Sequence, residues 1–98
     1  MYAVVRMMSV KPGHTMTPEA REESEAIARQ LPGALGAITI DIGEGKWIRI
    51  ALWTSSEERE SNTIDTPGVR RTGELYGWHM DMPIIGQGEV VSNTLLPS

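Results

Sequence analysis

The chain has 98 residues, 40% of them apolar and 22% charged, a composition that specifies a globular fold and excludes a disordered one. Thirteen acidic against nine basic side chains leave a net charge of −4, which argues against sequence-independent nucleic-acid binding, a function that depends on clustered Lys and Arg. With no cysteine there is no disulfide framework, thiolate metal site or cysteine nucleophile, and no apolar run approaches the roughly 18–20 residues of a membrane span.

One domain over residues 1–98 is expected, small enough for its core to be marginal unless a partner subunit completes it. The start, Met1-Tyr2-Ala3-Val4-Val5-Arg6, lacks a basic flank followed by a long apolar stretch, so no signal peptide is read and a cytoplasmic location is expected.

Residues 2–10 (YAVVRMMSV) read as a strand, ended by Lys11-Pro12-Gly13. Thr17 before Pro18 predicts a helix N-cap with proline at the first helical position; Ala20, Ser24, Ile27 and Leu31 then supply a thin apolar stripe, and Pro32-Gly33 stops the helix. Residues 35–42 and 46–53 predict a hairpin across a three-residue loop, Gly43-Glu44-Gly45. Ser55-x-x-Glu58 matches a capping box and predicts a short polar helix to about Asn62.

Over residues 68–82 two readings compete. Thr66-Pro67 is a second helix start, with Val69, Thr72, Gly73, Tyr76 and Met80 at helical spacing, and this reading is preferred. A strand across Glu74–Met82 is the rival, because Tyr76, Trp78, Met80 and Met82 alternate. A last strand follows in "IIGQGEVVSNTLL", with a bulge or bend at Gly86 and Gly88. The order strand, helix, strand, strand, helical segment, strand predicts an α+β, ferredoxin-like split β-α-β fold, a four-stranded antiparallel sheet with helices on one face.

Strand parity separates two faces. Ile38, Ile40, Ile42, Ile48, Ile50 and Leu52 are all aliphatic and are expected to pack against the helices. Ala37, Thr39, Asp41, Trp47, Arg49, Ala51 and Trp53 form the other face, joined by Tyr2, Val4, Arg6, Met8 and Val10 of the first strand. Exposed, that aromatic face would invite aggregation, and a second copy laid over it by a two-fold axis would cover it. A homodimer through this sheet face is therefore expected. Two readings of it stand side by side: an interface in which Arg6 pairs with Asp41 or Glu89 and the tryptophans are anchors, or a ligand cavity. In the second, Tyr2, Trp47 and Trp53 stack on a planar small molecule, Thr39 adds a hydrogen-bonding group, and Arg6 and Arg49 hold a phenolate, carboxylate or enolate oxygen.

Other chemistry is thin. His14 is expected in solvent; His79, beside Trp78 and near Asp81, is the one histidine with an acidic neighbour to orient its ring. No H-x-x-x-H spacing exists, so no metal is expected. There is no G-x-S-x-G elbow, and the Gly-x-Gly turns are too short to cradle a phosphate. The Arg and Glu run from Arg21 to Arg29 reads as a solvated helix face.

Three segments, "YAVVRMMSVKPG", "LPGALGAITID" and "IRIALWTSSEE", give the chain a resemblance to the dimeric α+β-barrel superfamily, in particular its antibiotic-biosynthesis-monooxygenase-like domains. The resemblance implies a homodimer whose paired sheets enclose a cavity. It also implies a monooxygenase-like activity on a small aromatic or quinol-like compound with no cofactor, or a non-catalytic binding or structural dimer. In the haem-degrading branch an Asn, a Trp and a His form the site, where this chain has Arg6, Asn62 and about Thr72 instead. In the quinone-oxidising branch an Asn and a Trp lie one helical turn apart; Asn62 matches the Asn, but Thr66 stands where the Trp would be. No catalytic residue is assigned.

Overall fold

The computed structural model describes residues 1–62, 65–76 and 80–94, Tyr76 without its side chain. In chain order the elements are β1 (Tyr2–Val10), α1 (Pro18–Gln30), β2 (Ala34–Gly43), β3 (Lys46–Trp53), α2 (Ser56–Ser61), α3 (Pro67–Tyr76), β4 (Met80–Asp81) and β5 (Ile84–Glu89). All strand pairs are antiparallel, and the sheet runs β2-β3-β1, with β4 and β5 both on the free edge of β1. This is the expected α+β arrangement, with the fourth strand in two pieces.

The local signals explain the elements. The Thr17 hydroxyl accepts from Ala20 N at 3.2 Å, and the Ser55 hydroxyl from Glu58 N at 3.1 Å, each meeting an amide that the first turn leaves without a helical partner. Helix α1 ends at Gln30 with Leu31 already extended, and the chain turns at Gly33, whose φ of +79° suits glycine and whose carbonyl accepts from Thr54 N at 2.8 Å, tying the end of β3 beneath the turn. The hairpin turn is tighter than expected: Gly43 pairs with Lys46, leaving a two-residue turn of Glu44 and Gly45, both at positive φ.

Helix α3 resolves the ambiguity at residues 68–82 as helix to Tyr76 followed by the two-residue β4; Gly77, Trp78 and His79 lie outside the described residues. The break between β4 and β5 falls at Met82-Pro83, where proline has no N–H for the ladder; its carbonyl still accepts from Met7 N at 3.1 Å. The bulge expected at the glycines lies beside them, where Val5 pairs with Gly86 but Arg6 with Ile84.

One expectation is overturned. The helices do not cover the aliphatic face. Val4 and Met8 are 3% and 4% exposed, whereas Ile38, Ile40 and Ile42 are 47%, 45% and 49% exposed. The two parity sets hold, since Arg6 pairs with Arg49, Met8 with Trp47, and Val5 with Ile50, but α1 lies over the set that carries the tryptophans and arginines. The physical reason is the thinness of the α1 stripe. Small residues such as Ala20 and Ser24 cannot fill the gap to a sheet, so long mixed side chains rise from the strands to do so. A flat row of isoleucines instead suits another sheet. Gly86 and Gly88 share this aliphatic face through their pairing with Val5 and Ala3.

Candidate ligand cavity

The helix-covered face is a grid of rows running across the strands. One row is Asp41–Trp47–Met8, the next Thr39–Arg49–Arg6, then Ala37–Ala51–Val4–Gln87, and last Ala34–Trp53–Tyr2–Glu89. Over the first two rows lies a cavity of about 180 Å³, lined by Met8, Thr39, Asp41, Trp47 and Arg49 from the sheet, Arg21 and Glu25 from α1, and Met16 and Met80. A cavity thus lies within one chain, between sheet and helix, on the face where the sequence placed a second subunit. Its apolar wall is soft: Met8 and Met80 form the buried core, with Met16, Trp47 and Met82 packed on it.

Arg21 lies over the Trp47 ring at 5.9 Å from its centroid, a cation–π contact that caps the cavity from α1. It belongs to the run that reads as a solvated face by sequence. Only its register above Trp47 would have revealed it, and that register is not local information. Asp41 is turned to its own hairpin, accepting from Gly43 N at 2.8 Å.

The expected site residues divide. Thr39, Trp47 and Arg49 line the cavity. Arg6 lies directly across from Arg49, and its Nη1 donates to the Met82 carbonyl at 2.6 Å, so neither Asp41 nor Glu89 is its partner. Burial holds the Arg6 guanidinium below the usual arginine range, and the positive charges of Arg59 and Arg49 push it the same way. Tyr2 and Trp53 share the face but stand at its far end, where the Tyr2 hydroxyl donates to Gln87 Oε1 at 3.1 Å. Asn62 is not brought to the cavity lining. Its Nδ2 donates to the Glu58 carbonyl at 2.8 Å and the Pro32 carbonyl at 3.0 Å, which binds the end of α2 to the turn after α1. His79 lies outside the described residues. Among the described residues no group of three His, Cys, Asp or Glu could hold a metal ion, and no helix is long and apolar enough to cross a membrane.

An antiparallel sheet with helices on one face, in the split β-α-β order, makes this an α+β protein of ferredoxin-like fold. More particularly, the fold is that of the antibiotic-biosynthesis-monooxygenase-like domains. The chain superposes on SnoaB, a cofactor-independent oxygenase from Streptomyces nogalater, with a TM-score of 0.76 at 13% identity over 95% of each chain. A putative antibiotic biosynthesis monooxygenase from Nitrosomonas europaea gives 0.74 at 14% identity, covering 94% of this chain and all of the other. The haem-degrader MhuD from Mycobacterium tuberculosis gives 0.60 at 17% identity over 96% and 99%. No protein-family model and no curated protein matches the sequence.

Proposed function

We propose that the chain is a monooxygenase-like protein that holds a small aromatic or quinol-like compound between its sheet and α1, with dioxygen as oxidant and no resident cofactor. It would act as a homodimer joined through the aliphatic sheet face. The observation that carries the reading is the cavity itself. It joins a flat indole and three methionines to a polar wall of Thr39, Asp41, Glu25, Arg21 and Arg49, so that an apolar surface and convergent polar groups meet in one space.

Its volume of about 180 Å³ is near the ~150 Å³ that accepts a benzene ring, so one ring fits as the cavity stands and larger ones need Arg21 to swing off Trp47. In the reaction an activated ring CH₂, that of an anthrone or of the keto tautomer of a hydroquinone, loses a proton to water to give an enolate. Arg49 stabilises that anion and lowers its pKa, the more so where water is displaced. The enolate carbon supplies the electrons to dioxygen; one oxygen atom remains as a carbonyl, and the other leaves as water with the two hydrogens of the carbon.

Oxygen-electrode traces with anthrones and hydroquinones of one to three rings test this. Uptake that falls about tenfold or more in Arg49→Met, which loses one stabilising charge, and that also falls in Trp47→Leu, which loses the stacking face, is expected. Binding without any uptake would instead favour a non-catalytic small-molecule-binding dimer.

A further inference from the structure

Positive charge gathers where Arg49 leaves the cavity lining for the neighbouring strand. Arg6 and Arg49 are directly opposed on β1 and β3, on the face that the helices cover, and like charges so placed destabilise a sheet. Helix α2 adds a third. Of its run Glu57-Glu58-Arg59-Glu60, the three glutamates are exposed and Arg59 alone is half-buried. The Arg59 charge also acts on Arg6.

None of the three has a carboxylate partner among the described residues. The ion pairs there join Arg71 to Glu23 and Glu74, Arg70 to Asp65, and the terminal amine to Glu89. Two acids share the cavity lining with Arg49: Asp41, on the adjoining row, is held by its own turn, and Glu25 of α1 makes no ion pair with Arg49. Arg6 meets a carbonyl dipole at Met82, which orients the guanidinium without neutralising it.

We propose that Arg6, Arg49 and Arg59 form an oxyanion-binding corner that takes a permanently ionised acid group, a carboxylate or a phosphate ester, carried by the aromatic ligand. The ligand is then an aromatic acid and not a plain phenol or quinol. This rests on the cavity reading above and narrows it. A phenol, with a pKa near 10, is neutral at pH 7 and leaves all three cations uncompensated. A carboxylate or phosphate brings full charge and the planar or tripodal oxygen set that guanidinium groups grip in pairs. With β1 and β3 supplying two of the cations and α2 the third, binding would also draw α2 toward the sheet.

Isothermal titration at pH 7 with three one-ring probes, 4-hydroxybenzoate, 4-hydroxyphenyl phosphate and hydroquinone, decides it. At least one acid is expected to bind about tenfold or more tightly than hydroquinone, with that gap cut to about threefold or less in Arg59→Gln and in Arg49→Gln. Stronger binding of the ester, with inorganic phosphate competing, identifies a phosphoryl group; stronger binding of the benzoate, without that competition, identifies a carboxylate. Arg59→Gln alters one position of a short surface helix and keeps the test open should Arg49→Gln not fold. Equal binding of all three probes overturns the oxyanion corner while leaving the ring-binding cavity in place. An acid preference that survives both substitutions overturns it too, because the anion is then held elsewhere. Binding of none of the three overturns the corner and the cavity reading together.

Discussion

Arg6 occupies mid-strand with Val4 and Met8 on its face, a position where a chain selected for stability alone would carry another apolar residue. Its guanidinium is desolvated, faces Arg49 and is oriented by a single carbonyl. Replacing it with methionine keeps the length and apolar stem, removes one member of a repulsive pair and gives up one hydrogen bond. The ligand-free Arg6→Met protein is therefore expected to melt at the same temperature as the parent or above it. Salt supplies the control. Raising ionic strength from about 20 to 300 mM shortens the Debye length from roughly 20 Å to 6 Å, so the parent should gain stability and the variant should gain less. A ligand-free variant that melts well below the parent would mean that Arg6 serves a partner within the fold, and the anion site would lose its principal residue.

At the scale of elements, α1 and α3 are clasped by Arg71. It lies against Glu23 through Nε and donates through Nη2 to Glu23 Oε1 at 3.1 Å and through Nη1 to Glu74 Oε2 at 3.1 Å. The hydrogen bond from Arg71 holds the Glu23 carboxyl below the usual range, and the two carboxylates raise Arg71, which stays charged throughout. Since the folded-state pKa of Glu23 is depressed, its contribution is complete above the unfolded carboxylate value of about 4.3 and is lost as pH falls through the lower folded value. Both partners are exposed, so the effect is small, a few degrees of melting temperature at most. Glu23→Gln should melt below the parent at pH 6, and the difference should shrink as pH falls below about 4.3 and through the depressed folded value. A gap that stays constant over that fall would mean the loss comes from something other than the ion pair.

The same scale shows what the sequence made legible. Caps at Thr17 and Ser55, the stop at Gly33 and the hairpin all follow from signals within a few residues of one another, and these elements stand where they are expected. The division of each strand into two faces was equally local. Which face the helices take was not, because it depends on how much space the α1 stripe leaves above the sheet. The tryptophans suggested a partner subunit and the isoleucines a core; the covered face takes the first set and the exposed face the second. Arg21 and Arg59 were hidden for a related reason. Both lie in runs of charge that look solvated until the register of a helix over a sheet is known.

At the scale of the whole molecule, the exposed isoleucines remain to be accounted for. Ile38, Ile40 and Ile42 stand on the outermost strand beside Ile48 and Ile50, a contiguous aliphatic surface on a sheet whose β2 edge is open. A second copy is the proposed cover. Light scattering at micromolar concentration should give about twice the 10.8 kDa chain mass, and Ile40→Asp should return the mass to that of one chain. A parent that scatters as 10.8 kDa would remove the dimer from the proposal and leave the cavity, which one chain builds alone.

The glycines of β5 bear on how two such sheets would meet. Along the row Ile38–Ile50–Val5–Gly86 the side chains shrink from a full isoleucine at the β2 edge to bare backbone at β5, whereas the next row, Gly36–Leu52–Ala3–Gly88, is bare at both edges and thick only at Leu52. Through the row of Gly86 the aliphatic surface is thus a wedge, thick on one side and thin on the other. Two wedges fill the space between flat layers only when one is reversed. A dyad parallel to the strands reverses it and sets each thick edge over the other's thin one. A dyad perpendicular to the strands would stack thick on thick and hold the β5 edges apart. In a dimer joined through this face the taper would select the first orientation, and a bulky residue at Gly86 would occupy the place that the partner's isoleucines need.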